Sequence, residues 1–216
     1  MNRVKLAGLV TLVVLWPGLT QAQDAPLTGE QVYKTKGCMA CHGSKGAKPI
    51  LTYPALAGQS EKYVLQQIND IKSGKRVGAV DETGHPATQG MADILHILSD
   101  ADIAAVSKYV AEQKPGAPKP LDPPAAAADL EAGAAAYKKL GCVTCHGVDG
   151  KKATVPIYPV LAGLNRDYLH RQMVAIRDGG RTSGQSKLMV PFAKKADDAA
   201  IAAISTWLSQ IDRSTP

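Results

Sequence analysis

Apolar residues recur at three- and four-residue intervals in three segments of the first half of the chain, which is the spacing of an amphipathic helix. The pairs Thr28 with Gln31 and Ser99 with Asp102 have the composition of a capping box, which starts a helix. The three predicted helices begin at Thr28, Ser60 and Ser99, and they end near Lys36, at Gly74 and before Pro115.

The second half of the chain repeats this pattern of helices. Helices are predicted near residues 128–140, 165–178 and 197–211. The alternation of apolar and polar residues that would indicate strands is absent over any useful length. The segments 43–58 and 74–98 are predicted to be loops. The pattern therefore predicts an all-α protein.

The chain contains two copies of one unit. A shift of 104 residues brings Gly29, Tyr33 and the segment 37–43 onto matching residues of the second half. A shift of 105 matches Leu56, Gly58, Tyr63, Gln67 and Arg76 with Leu161, Gly163, Tyr168, Gln172 and Arg181. A shift of 98 matches Met91 with Met189, and the first copy carries seven more residues between Arg76 and Met91. Two similar domains follow from this repeat.

The boundary between the copies is rich in proline. Prolines at 115, 118, 120, 123 and 124 cannot hold a helix or a central strand, so this stretch is predicted to be an extended, semi-rigid spacer. The predicted organisation is a first domain at 23–114, a Pro/Ala-rich linker at 115–126 and a second domain at 127–216.

Residues 1–22 have the form of a signal peptide. Arg3 and Lys5 precede the apolar run 6–16, and Thr20-Gln21-Ala22 offers small residues at a cleavage site. A retained anchor is the open alternative, although the run is shorter than the ~20 residues that a membrane span needs. Export as a soluble protein, with peripheral membrane association left open, is the expected outcome.

Composition and charge narrow the functional classes. Aromatic residues are 5% of the chain, which is little for two domains of this size and leaves room for a large apolar cofactor. Residues 115–216 hold thirteen basic and nine acidic side chains, whereas 23–114 hold ten of each. A basic second half suits an acidic partner surface, although ordinary solubility charge explains it equally well. Nucleic acid is not expected, because no basic stripe is interleaved with aromatic residues.

All four cysteines belong to two copies of a Cys-x-x-Cys-His motif. The copies are the segments 38–42 and 142–146, with Cys38, Cys41 and His42 in the first and Cys142, Cys145 and His146 in the second. This motif attaches a c-type haem. Residues i and i+3 share one face of a helical turn, so both thiols can bond the vinyl groups of one porphyrin while the histidine reaches its iron. Two covalently bound haem c groups are predicted.

Three other cysteine chemistries compete with this interpretation. The cysteines could form two disulfides, a zinc site built from both pairs, or thioredoxin-like redox pairs. A disulfide framework gives no reason for the histidine after each pair. A zinc site would require the two self-contained halves to converge on one ion.

A six-coordinate haem needs a second axial ligand, and methionine is a common one. Met1 lies in the signal peptide, Met39 lies inside the attachment motif, and Met173 falls on a helix where it is expected to pack. Met91 and Met189 are repeat partners, and each is expected in a loop before the last helix of its domain. They are the predicted ligands.

Two histidines leave an alternative open in the first domain. His85 and His96 flank Met91, and either could bind the iron in its place. The simpler interpretation places His85 in a solvated Gly-His-Pro turn and His96 on a connecting segment.

The surroundings of each haem can also be predicted. A ligating histidine donates its second ring N–H to a fixed acceptor, and the carbonyls of Pro54 and Pro159 are the candidates. Gly29 and Gly133 are expected to let the first helix of each domain cross closely against the last, near Tyr109 and Trp207.

These features resemble the dihaem cytochrome c4 group, over about residues 27 to 212. The resemblance rests on the two attachment motifs, on the Tyr-Pro-x-Leu-Ala-Gly stretches that contain Leu56 and Leu161, on the helices that end near Arg76 and Arg181, and on the later methionines. It implies two tandem class I cytochrome c domains, each a few helices wrapped round one haem, joined by the Pro-rich linker. It implies the axial pairs His42 with Met91 and His146 with Met189, and haem propionate edges that face each other. The longer segment 77–90 departs from the pattern of the group.

The resemblance implies a periplasmic electron carrier with no catalytic residues. Its partners would be a quinol-oxidising complex and a terminal oxidase or reductase. A cytochrome subunit of a periplasmic dehydrogenase is the close alternative. A haem enzyme, such as a peroxidase or a thiosulfate-oxidising cytochrome, is the third, and it would need an open iron site in the first domain.

Overall fold

The computed structural model describes residues 25–80 and 84–214. The predicted signal peptide at 1–22 lies outside these residues. Within these residues, the first half contains five α-helices and one short 3-10 helix (Ser44–Gly46). The α-helices are α1 (Gly29–Thr35), α2 (Cys38–His42), α3 (Glu61–Lys72), α4 (Gln89–His96) and α5 (Asp100–Ala111). The second half contains five more, which are α6 (Ala127–Lys139), α7 (Val143–His146), α8 (Arg166–Arg177), α9 (Ser186–Ala193) and α10 (Asp198–Ser209).

The predicted all-α class is confirmed. In the described part of the chain, the one β feature is an isolated antiparallel bridge between Val80 and Pro86. Both predicted capping boxes form, because Thr28 bonds with Gln31 and Ser99 with Asp102 through side chain and backbone. The six predicted helices lie within a few residues of their expected positions, and α5 already ends at Ala111, ahead of Pro115.

The prediction that 74–98 is a loop is wrong over its last part. Gln89–His96 is helix α4, so Met91 lies on a helix and His96 ends it. Met189 likewise lies on α9 rather than in a loop. Both helices are only eight residues long and carry a residue that disfavours helix, Gly90 in α4 and Pro191 in α9. Helix α4 packs against α3 and helix α9 packs against α8, and this packing outweighs the weak local preference.

In each half, the first helix packs across the last. A Cβ atom on Gly29 would lie 2.6 Å from Tyr109 Cβ, and one on Gly133 would lie 2.6 Å from Trp207 Cβ. The rings of Tyr33 and Tyr109 stack at 5.5 Å, and those of Tyr137 and Trp207 at 5.0 Å. The predicted close crossing at the two glycines is therefore confirmed.

Candidate functional site

Each Cys-x-x-Cys-His motif forms one short helix behind a glycine. Gly37 precedes α2 with φ of 83°, and Gly141 stands at the matching place with φ of 80°. Residues that carry a side chain rarely adopt this left-handed backbone conformation, whereas glycine adopts it readily. Glycine therefore allows the sharp turn from the first helix of each half into the motif. The turn places the two cysteines of each motif one helical turn apart, as attachment to one porphyrin requires.

A buried tyrosine holds the end of each motif. Tyr33 donates a hydrogen bond of 2.7 Å to the carbonyl of Gly43, and Tyr137 donates one of 2.9 Å to the carbonyl of Gly147. Burial raises the pKa of both tyrosines, so the hydroxyls stay protonated and can donate.

The two motif histidines have fixed orientations. His42 Nδ1 lies 2.9 Å from the carbonyl oxygen of Pro54, and His146 Nδ1 lies 3.0 Å from that of Pro159. A carbonyl only accepts, so each Nδ1 carries the proton and each Nε2 has a lone pair for a metal. Burial lowers the pKa of both rings and keeps them neutral. The predicted proline acceptors are confirmed.

Each half contains an apolar pocket in which these groups converge. The first pocket is lined by Tyr33, Cys38, His42 and Met91 together with Ile68, Ile94 and other apolar side chains. The second is lined by Cys142, Cys145, His146 and Met189 together with Met173, Phe192 and other apolar side chains. Cys41 lies on α2, one turn after Cys38, and is half-buried.

The second pocket contains two methionines. Met173 packs in the second core, and its repeat partner Ile68 lines the first pocket at the matching place. Met189 has Met91 as its repeat partner, and each comes from the short helix ahead of the last helix of its half. Position 173 is therefore a packing position that holds Met in one copy and Ile in the other.

Neither a disulfide framework nor a shared zinc site finds support in the structure. All four cysteines are free. Within the described ranges, no three His, Cys, Asp or Glu side chains are grouped so that they could hold a metal ion. His85 and His96 are exposed and are not among the residues that line the first pocket.

Comparison with known proteins identifies the family. The cytochrome c family model matches residues 27–114 and 130–212. Cytochrome c4 of Azotobacter vinelandii is 34% identical over 211 residues, which cover 96% of this chain and 98% of that protein. The chain belongs to the cytochrome c family, in its cytochrome c4 group. It therefore carries two covalently bound haem c groups and acts as an electron carrier rather than as an enzyme.

Further relatives extend this finding. The crystal structure of reduced cytochrome c4 from Pseudomonas stutzeri has a TM-score of 0.70 and 30% identity, and covers 87% of this chain and 100% of that one. A protein of Thiomonas intermedia named thiosulfate dehydrogenase electron acceptor is 33% identical over 183 residues, which are 80% of this chain and 77% of that protein.

No helix in the described part of this cytochrome is long and apolar enough to cross a membrane.

The pockets of this cytochrome fit a haem on structural grounds. Each has an apolar wall around a buried neutral histidine and a methionine, with the thiol of Cys38 in the first pocket and those of Cys142 and Cys145 in the second. Arg181 also lines the second pocket, and its buried Nε has no hydrogen-bond partner in the part of the chain that the structure describes. An unpaired guanidinium nitrogen in this place suits a carboxylate such as a haem propionate.

A polar network joins the two halves, and sequence reasoning did not place it there. Arg76 donates to Gln67 at 2.8 Å and to Gln172 of the other half at 3.0 Å. Arg181 donates to Gln172 at 2.6 Å and to Gln67 at 2.9 Å. The network thus has an approximate twofold symmetry. The sequence repeat contains these residues, because Gln67 and Arg76 recur as Gln172 and Arg181. Their contact across the two halves is visible only in the folded chain.

Proposed function

We propose that both haems are six-coordinate and bound in the same way. Cys38 and Cys41 form the thioethers to the first haem, and Cys142 and Cys145 form those to the second. His42 with Met91 and His146 with Met189 supply the axial ligands. The observation that carries this proposal is the repeated arrangement in both pockets, where a histidine fixed on a proline carbonyl shares the pocket with a methionine from α4 or α9.

The protein residues adapt the pockets to electron transfer. When bound, the haem iron supplies one-electron chemistry between its ferric and ferrous states. Each histidine stays neutral and oriented by its carbonyl acceptor, which makes it a better ligand. Methionine sulfur favours the ferrous state and raises the potential. The apolar walls exclude water, so little solvent has to reorganise when the charge changes.

We also propose the cellular role. Domains at 23–114 and 127–216, joined by the linker 115–126, form a periplasmic shuttle that receives electrons from a quinol-oxidising complex and delivers them to a terminal oxidase or reductase. The signal-peptide pattern at 1–22 and the likeness to cytochromes c4 support this role.

Potentiometric titration of methionine variants tests the ligand assignment. Met91→Leu and Met189→Leu should each abolish half of the ferric methionine–iron charge-transfer band, because each removes one iron–sulfur bond, and each should lower one midpoint potential. Met173→Leu is the matched control, since it changes a methionine in the second pocket and should leave the band intact. A full band in Met91→Leu would contradict the assignment for the first haem.

The dehydrogenase subunit is the second candidate function. The observation in its favour is the likeness to the protein named thiosulfate dehydrogenase electron acceptor. Size-exclusion chromatography of the native protein from a periplasmic extract separates the two candidates. Elution of the cytochrome alone would favour the shuttle, and a stoichiometric complex with a dehydrogenase would favour the subunit.

The α9 surface is the proposed docking face for an acidic redox protein. Exposed Leu188 and Phe192 lie on α9 at the second pocket, and Lys187, Lys194 and Lys195 are exposed beside them. The matching positions of the first half are Gly90, Ile94, Gln89, His96 and Ile97. None of these matching positions carries a lysine or arginine, so an acidic partner would be attracted to the α9 surface rather than to its α4 counterpart.

Charge variants test this docking face. Reduced plastocyanin, an acidic copper protein, serves as the electron donor in stopped-flow measurements at several ionic strengths. Lys187→Gln with Lys195→Gln should lower the second-order rate constant and flatten its salt dependence, because the attraction is lost. Lys62→Gln with Lys108→Gln removes the same charge from the first half and is the control. Equal effects of the two pairs would contradict a localised docking face.

A further inference from the structure

We propose that Gln59, a residue of the first half, is a positioning residue that lowers the reduction potential of the second haem through the backbone that holds His146. This inference rests on the proposed role of His146 as an iron ligand. It assigns a tuning function to a contact across the domain boundary.

The carboxamide of Gln59 pairs with one residue of the opposite half. Its Nε2 donates to the carbonyl of Val160 at 2.7 Å, and its Oε1 accepts from the N–H of Val160 at 3.0 Å. Gln59 is only 3% exposed, so water competes little for these bonds. The two bonds fix both the position and the orientation of the backbone at Val160.

The N–H of Val160 belongs to the same peptide group as the carbonyl of Pro159. That carbonyl accepts the hydrogen bond of 3.0 Å from His146 Nδ1. A peptide whose N–H is donated to an acceptor becomes more polarised, and its oxygen becomes a stronger acceptor. Gln59 Oε1, the Pro159–Val160 peptide and His146 therefore form one continuous chain of hydrogen bonds.

The chain of bonds acts on the iron through the basicity of the histidine. A stronger acceptor at Nδ1 gives the ring more imidazolate character and makes Nε2 a more electron-rich ligand. Such a ligand stabilises ferric iron more than ferrous iron. Gln59 should therefore make the potential of the second haem more negative than it would otherwise be.

Among the residues that the structure describes, the first haem site has no equivalent of this hydrogen-bond relay. The repeat shift of 105 residues places Leu164 opposite Gln59. Leu164 is buried in the second core and carries no hydrogen-bonding side chain, so it cannot polarise the Pro54–Ala55 peptide that serves His42. The relay thus distinguishes two otherwise similar histidine sites.

Gln59→Leu tests the relay by installing the residue of the matching position. The midpoint potential of the second haem should shift to a more positive value, while that of the first stays unchanged. The haems are assigned by NMR from the hyperfine-shifted resonances of Met91 and Met189, and the His146 Nδ1–H resonance should report a weaker hydrogen bond. Gln59→Met, which keeps the length of the side chain, should give the same shift and covers the case in which leucine prevents haem loading.

Thr52→Val is the control for loosening the contact between the halves. It removes the hydroxyl that accepts from Arg171 at 2.9 Å across the boundary, and it leaves the acceptor of His146 intact. It should leave the second potential unchanged. An unchanged second potential in both Gln59 variants, or an equal shift in Thr52→Val, would overturn the inference. Absence of a haem-shifted His146 resonance in the wild-type protein would instead refute the proposed ligand, whatever the Gln59 variants show.

Discussion

The motif histidines and their proline acceptors show how single residues prepare a haem site. Each ring is buried and neutral and has its Nδ1 proton committed to a backbone carbonyl. The remaining nitrogen, Nε2, is therefore the one that can bind iron. Tyr33 and Tyr137 hold the other end of the motif through their hydroxyls. These bonds restrict the motif to one geometry.

Arg213 is a residue whose charge works against stability. Its guanidinium lies near Gly58 and Gly163, and its Nη1 nitrogen is buried without a hydrogen-bond partner among the described residues. Burial lowers the pKa of Arg213 to about 10. The folded state therefore bears the cost of the buried charge at neutral pH.

Arg213→Met should consequently stabilise the protein. We expect the free energy of unfolding at neutral pH to increase by about 1–3 kcal/mol, the usual cost of an unsatisfied buried polar group. Denaturant titration at pH 7 measures the change. A loss of stability at pH 7 would show that the guanidinium is favourably bound.

At the scale of elements, the crossing of the first and last helix organises each half. Glycine at positions 29 and 133 brings α1 onto α5 and α6 onto α10 so closely that a side chain would collide with the backbone of the partner. This contact positions the motif helix, which follows the first helix directly. The pocket therefore depends on a packing contact that contains none of its own residues.

Gly29→Ala tests the crossing. The added methyl group would overlap Ala105 and Tyr109, so α1 must shift, and overpacking of this kind costs about 1–3 kcal/mol. Thermal unfolding of the holoprotein measures the loss. Gly90→Ala is the control, because this helical glycine has open space around it and alanine should stabilise α4 by about 0.5–1 kcal/mol. Equal melting temperatures for wild type and Gly29→Ala would contradict the tight crossing.

At the scale of the whole molecule, buried polar groups connect the two halves. Arg76 and Arg181 each bind a glutamine of their own half and the equivalent glutamine of the other. Gln59 and Arg171 add contacts to Val160 and Thr52. Such groups are costly to leave unpaired, so the halves are expected to stay docked during electron transfer.

Arg76→Met should uncouple the halves. The substitution removes one hydrogen-bond donor from Gln67 and one from Gln172. We expect this loss to lower the free energy of unfolding by about 1–3 kcal/mol. Differential scanning calorimetry should show one transition for the wild-type holoprotein and two for the variant. Arg177→Gln is the control, because Arg177 pairs with exposed Asp178 and Asp198 and such surface pairs contribute little. A single transition in Arg76→Met would show that other contacts couple the halves.

Much of this structure can be predicted from the sequence, but specific parts of it cannot. The capping boxes, the close-crossing glycines and the proline acceptors follow from local chemistry, and the structure confirms them. The helices that carry Met91 and Met189 were predicted as loops, because Gly90 and Pro191 interrupt short segments with weak local preference. Gln59 carried no signal at all, since its partner Val160 lies about one hundred residues away.

The two haem-binding units follow from local features of the sequence. Motif spacing, caps and repeat are all encoded within short stretches of chain, and covalent chemistry needs no distant residue to specify it. The pairing of polar groups across the boundary arises only when the chain folds. Those contacts depend on burial and on the relative placement of distant segments, and the free energy of a buried hydrogen bond exists only after the chain has closed around it.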